Sequence, residues 1–205
     1  MANSRKKMLD RIEVMQKPVT FYEATFSFPY TPVNSKDFLI VENLEVGYTK
    51  TLIPPISFHL TSTDKLWVRG TNGVGKTTLI KTLLRKIPAL KGTFRFHIAT
   101  KISYLQQLEF DNPSMNAMQY YNENFPKEGV KEQRSHLARV GLIGDLATKP
   151  LNTMSGGEQV RAKLAVLSNI SSNILILDEP TNHLDVRAKE ALKKALIEYE
   201  GAIIL

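Results

Sequence analysis

The sequence predicts an α/β fold, an open sheet flanked by helices with a small helical subdomain inserted between its halves. Three observations carry this. Lys65–Gly70 (KLWVRG) reads as a buried strand running into a glycine-rich turn, after which a helical pattern begins at Lys76. Ile174–Leu177 is a continuous apolar run, as expected of a strand covered on both faces. Between them, residues from about 113 to 150 are broken into short helical pieces by Pro126, Gly129, Gly141, Gly144 and Pro150, without strand alternation.

The first 17 residues hold three of the seven net positive charges of the 205-residue chain. Met8, Ile12 and Met15 recur at helical spacing there, giving a basic helix with a narrow apolar stripe that Pro18 would end. Two readings stay open for it: a solvated helix packed on the domain, or an arm facing nucleic acid. The aromatic, proline-containing stretch Phe21–Asp37 reads as irregular lead-in, and Phe38–Tyr48 (FLIVENLEVGY) as a strand. A helix is expected over Lys76–Lys86, with Leu79, Leu83 and Ile87 on one side and Pro88 closing it. Gly92–Phe96 and Lys101–Leu105 read as short strands.

The turn before that helix carries the first chemistry. Gly70, four residues, Gly75, Lys76 and Thr77 form the phosphate-loop pattern in its confirming context, after a strand and before a helix. Glycines there let Gly70, Thr71, Asn72, Gly73, Val74, Gly75 and the helical start through Thr78 turn backbone N–H groups toward phosphates, where the helix dipole also favours an anion. Lys76 should reach the β- and γ-phosphates of ATP, and the Thr77 hydroxyl should ligate Mg²⁺. The bland alternative is an ordinary glycine-rich strand-to-helix turn.

Met154–Gln159 (MSGGEQ) is the second element. Ser155, Gly156, Gly157 and Glu158 fit a capping box, followed by the apolar face Val160, Leu164 and Leu167. A cap does not require two glycines, and adjacent glycines at a helix start also leave amides open to a second anion. The third element follows the Ile174–Leu177 strand, whose carboxyl end bears Asp178 and Glu179, the place where open α/β sheets bind ligands. Asp178 would hold Mg²⁺, through water, while Glu179 would orient and deprotonate an attacking water. A solvated acidic turn is the alternative there, and Pro180 and Asn182 suit one.

Composition narrows the class. Without cysteine there are no disulfides or thiolate metal sites, which fits a cytoplasmic setting. No run approaches the roughly 20 apolar residues of a membrane-spanning helix, and the N-terminus lacks the apolar core of a secretory signal. The basic balance suggests an acidic or nucleic-acid partner.

In this order the three elements resemble the nucleotide-binding domain of the ATP-binding cassette (ABC) superfamily: Walker A, signature motif and Walker B. Ser155 follows Lys76 by 79 residues and Asp178 follows Ser155 by 23, separations that suit that fold with a compact helical arm. The resemblance implies a P-loop NTPase of cassette type, with a mixed sheet core, an antiparallel β subdomain and the inserted helical subdomain. It also implies that Tyr48 stacks on adenine, that Gln107 (or the adjacent Gln106) is the Q-loop residue near Mg²⁺ and the water, and that Asp185 lies at a dimer interface. The signature Ser155, Gly156, Gly157 and Glu158 would cap the ATP of a second, facing cassette. Met154 stands where leucine is usual, a mild apolar exchange.

The string DEPTNHLD (Asp178–Asp185) and the FSFPY lead-in resemble the ABC-F branch, soluble tandem ATPases that act on ribosomes, rather than the ATPase subunit of a membrane transporter. On that resemblance residues 1–18 are the end of a basic linker helix and 19–205 a cassette domain. ATP, Mg²⁺, a second cassette (an N-terminal half or a homodimer mate) and ribosomal RNA are the implied partners. In this family a strand like Gly201–Leu205 leads into a switch histidine, a place that none of His59, His97, His136 and His183 occupies. The resemblance therefore implies a chain that binds ATP and hydrolyses it weakly when alone.

Overall fold

The computed structural model describes residues 23–106 and 110–205; the basic helix expected over residues 1–18 and the candidate Gln107 lie outside them. Seven strands and six α-helices follow one another among these residues. They divide into two sheets. An antiparallel sheet of order β2-β1-β4 is built from β1 (Asp37–Gly47), β2 (Thr51–Thr61) and β4 (Lys91–Phe96), while β3 (Lys65–Leu66), β5 (Ile102–Leu105), β6 (Ile174–Leu177) and β7 (Ala202–Ile204) form a parallel sheet of order β3-β7-β6-β5.

The apolar run of β6 explains the layering. All four of its residues are fully buried, Leu175 and Leu177 in one cluster with the helices and Ile174 and Ile176 in another. Alternate side chains of an extended strand point to opposite faces, so one short strand serves two cores. The second core holds Phe38, Leu39, Leu44 and Leu60 of the antiparallel sheet together with Leu79, Ile80 and Leu83 of α1 (Lys76–Leu83). The first holds the short helices α2 (Ala117–Asn124), α3 (Val130–Arg139) and α4 (Asp145–Thr148), then α5 (Gly156–Leu167) and α6 (Val186–Glu198).

Several boundaries differ from those expected. The strand over Lys65–Gly70 is regular for two residues only, and Trp67 is 64% exposed. β3 is the edge of the parallel sheet, with a partner on one side, and beyond Leu66 only the Val68 amide pairs, with Leu205. Helix α1 stops at Leu83, well before Pro88, because Arg85 adopts a left-handed conformation (φ 58°). The Arg85 and Lys86 amides then close on the carbonyls of Thr82 and Lys81, a Schellman end made without glycine.

Strand β2 was not legible, since Pro54 and Pro55 interrupt its pattern; it is an edge strand, where missing N–H donors are tolerated. The lead-in is also more ordered than its composition suggests. Ala24, Phe26 and Phe28 alternate into the helical core, and backbone bonds from Thr25 to Arg139 and between Pro29, Thr31 and Ser172 tie this strap across the helices.

Candidate active site

Because β3, β7, β6 and β5 are parallel, their carboxyl ends open on one edge of the sheet, where loops from distant parts of the sequence meet. A cleft of about 1,070 Å³ there is lined by Asn72, Lys76, Asp178, Glu179 and Asn182. It extends along α6 well past these residues.

On the β3 side the turn Gly70–Gly75 delivers Lys76 to the first position of α1. Gly75 has φ 108°, and a side-chain carbon there would press on Leu52 and Ile53 of β2 at 3.2 Å, so both conformation and space require glycine. Lys76 Nζ donates to the carbonyl oxygens of Gly70 (2.9 Å) and Thr71 (3.2 Å) and lies 3.8 Å from Glu179 Oε1. Its ammonium thus spans the mouth of the loop, where phosphate oxygens could replace the carbonyls. Thr71, Asn72, Gly73 and Val74 are exposed; Thr78 is buried, leaving its amide as the group it can offer an anion.

On the β6 side Asp178 is 5% exposed, and its Oδ2 is buried without a hydrogen-bond partner. Burial raises its pKa above the ordinary aspartate value, the neighbouring Glu179 adds to this, and the Thr77 hydroxyl bond with the Lys81 and Lys76 charges opposes it. An unpaired buried carboxylate oxygen beside a threonine hydroxyl and a lysine is a costly arrangement. It fits a hard cation, so Thr77 and Asp178 are the residues that would hold Mg²⁺, with phosphate oxygens and water completing its shell.

Glu179 has a left-handed backbone (φ 53°), uncommon for a residue with a side chain. The following turn holds it there: the Asn182 amide donates to the Glu179 carbonyl (3.1 Å) and Asn182 Nδ2 to Glu179 Oε2 (2.7 Å). Asn182 is a positioning partner that the sequence showed only as a turn residue.

The signature segment forms the capping box its spacing predicts. Ser155 Oγ accepts from the Glu158 amide (3.3 Å), Glu158 Oε2 accepts from the Ser155 amide (2.9 Å), and Lys149 Nζ stands 3.4 Å from that carboxylate. The two glycines have a reason inside the chain. A side-chain carbon at Gly156 would lie 2.8 Å from His183 Cγ, and one at Gly157 2.6 Å from the His183 carbonyl oxygen. Close packing of His183 thus demands the glycine pair independently of any anion. Met154 is buried, so its position needs apolar volume.

The remaining candidates stand apart. Tyr48 is 60% exposed at the turn from β1 into β2 and does not line the cleft, although β2 meets the phosphate loop through Leu52 and Ile53 at Gly75. Gln106, the described neighbour of Gln107, has its Oε1 3.5 Å from Lys86 Nζ, and its carbonyl oxygen 3.5 Å from Lys163 Nζ of α5. Asp185 caps α6 by accepting from the Ala188 amide (2.9 Å) and pairs with Arg161 of α5. The Ala188 amide first, and then the Arg161 charge, hold its carboxyl below the ordinary value.

Comparison with known proteins agrees with this arrangement. A family model described as ABC transporter matches residues 53–182. The chain is 35% identical over 207 residues to the uncharacterized ABC transporter ATP-binding protein YfmM of Bacillus subtilis, covering 100% of this chain and 40% of that protein. Protein GCN20 of Saccharomyces cerevisiae is 29% identical over 208 residues, covering 100% and 28%. A solved chain from Pyrococcus furiosus, described as an ABC transporter ATP-binding protein, superimposes with a TM-score of 0.66 at 26% identity, covering 82% of this chain and 90% of that one. The chain spans about a third of the length of such curated relatives.

Proposed function

The chain belongs to the ABC transporter family and has its P-loop NTPase fold; from that premise we propose that it is the ATP-binding and ATP-hydrolysing cassette of an ABC-F type protein acting on the ribosome. The observation that carries the ATPase reading is the orphaned Asp178 Oδ2 beside Thr77, with Lys76 and Glu179 within 4 Å of each other at the same strand ends.

The chemistry follows from positions. Lys76 and the amides of Gly70–Thr78 neutralise charge on the β- and γ-phosphates of ATP. Glu179, held from behind by Asn182, orients a water in line with the γ-phosphorus and takes its proton as the bond from phosphorus to the bridging oxygen breaks, giving ADP and inorganic phosphate. Thr77 and Asp178 would hold Mg²⁺, which would supply Lewis-acid neutralisation of the charge developing on the phosphates. On the family resemblance Tyr48, exposed at the turn from β1 into β2, would stack on adenine, and the role of completing the water site is proposed for Gln107, which lies outside the described residues. The signature of a facing cassette closes over the γ-phosphate, while Ser155–Glu158 serve that partner's ATP in return. Turnover by the lone chain is accordingly weak.

The ribosomal role rests on Asn182–His183 in the string after Walker B and on the net charge of +7. No described helix is long and apolar enough to cross a membrane, and a cytoplasmic location follows from the ribosomal reading. Cosedimentation of the chain carrying Glu179→Gln, loaded with ATP, tests it. Pelleting with ribosomes should fall about a hundredfold or more between 50 and 200 mM salt if several phosphates are contacted. Pelleting with membrane vesicles and indifference to ribosomes would instead support a transporter subunit.

A further inference from the structure

The turn after Walker B does more than present Glu179. Between Glu179 and Asp185 the chain takes two left-handed residues that are not glycine, Glu179 (φ 53°) and His183 (φ 66°), conformations that persist only where surroundings impose them. What imposes the second is α5. The His183 ring and carbonyl pack so closely on Gly156 and Gly157 that neither glycine could carry a side chain without displacing it. Two residues later, Asp185 pairs with Arg161 one turn further along α5. At its start the same turn is bonded to the Glu179 carboxylate through Asn182 Nδ2. A single short loop thus touches the γ-phosphate end of one nucleotide site and the first turn of the helix whose amides would face another.

We propose that His183 is a positioning residue that seats the N-terminal turn of α5 and transmits the state of Glu179, through Asn182, to the Gly156–Glu158 amides of the same chain. The inference rests on the ATP reading given above. When ATP draws Lys76 onto its phosphates, Glu179 turns to the water with Asn182 still bonded to it; the turn shifts, and His183, having no clearance from Gly156, must carry α5's first turn with it. With a smaller residue at 183 the gap decouples the two. Each cassette would therefore show its partner a signature face that depends on its own nucleotide.

Two arms test this in the 205-residue chain. The first needs no nucleotide. Gly156→Ala alone should lower Tm by about 5 °C, as overpacking of this kind does, and Gly156→Ala with His183→Gly should recover most of that loss. An equal loss in both would remove His183 as the packing partner. The second follows hydrogen exchange of the peptide spanning 154–160 with and without Mg²⁺ and ATP. Nucleotide should change its exchange by about threefold or more in the wild type, whereas His183→Gly should abolish the change and leave ATP affinity within about twofold. His183→Asn, which tolerates the left-handed backbone, gives the same comparison if the glycine variant is poorly folded. A nucleotide-dependent change retained in these variants, or absent from a wild type that binds ATP, overturns the coupling. A wild type that does not bind ATP overturns the ATP reading itself, while the first arm still decides the packing of His183.

Discussion

Glu179→Gln should reduce single-turnover ATP hydrolysis by about 10²–10⁴-fold, the range expected for loss of a general base, while leaving ATP binding intact. Glutamine keeps the length of the side chain and an oxygen for the 2.7 Å bond from Asn182 Nδ2, but cannot accept a proton from water. It also removes the negative partner 3.8 Å from Lys76 Nζ, which frees the ammonium for phosphate. Binding should therefore be unchanged or tighter. Hydrolysis within threefold of wild type, measured on radiolabelled ATP with excess protein, would assign the water to another group.

Asp178→Asn should separate stability from metal dependence. With its pKa raised chiefly by burial, the Asp178 carboxyl contributes its full stability only below the ordinary aspartate pKa, and that contribution is lost as pH rises through the raised value. Above that raised value the carboxylate is a buried charge with one unpaired oxygen. Asparagine removes the charge and keeps an acceptor for Thr77. Tm at pH 7 should rise by about 2–4 °C, with the advantage shrinking in acid, and Mg²⁺ should no longer improve nucleotide affinity. A lower Tm with Mg²⁺ dependence intact would show that Asp178 is structural and the cation lies elsewhere.

The parts legible in the sequence are those whose causes are local. The helix start at Lys76, the Ser155–Glu158 capping box and the β6 run each follow from residues within one turn or strand, and the structure shows them where expected. What stayed hidden depends on neighbours far along the chain. Pro54 and Pro55 disguised β2 because only its edge position makes them tolerable. Arg85, not Pro88, ends α1, a left-handed turn that no composition rule assigns to arginine. The Gly156–Gly157 pair could be recognised as unusual, but its packing reason is His183, 27 residues beyond Gly156, brought there by the turn that also holds Glu179.

On the ATP reading, that turn and the loop facing it enclose a triphosphate. Calorimetric titration of ATP with Mg²⁺ into the wild-type chain and into Lys76→Ala measures this directly. Saturable binding of one ATP per chain, weakened by about tenfold or more in Lys76→Ala through loss of the charge-assisted contacts, is the expected result. No saturable binding to the wild type, or equal affinity in the two proteins, would contradict the assignment of Gly70–Thr78 as the seat of the phosphates.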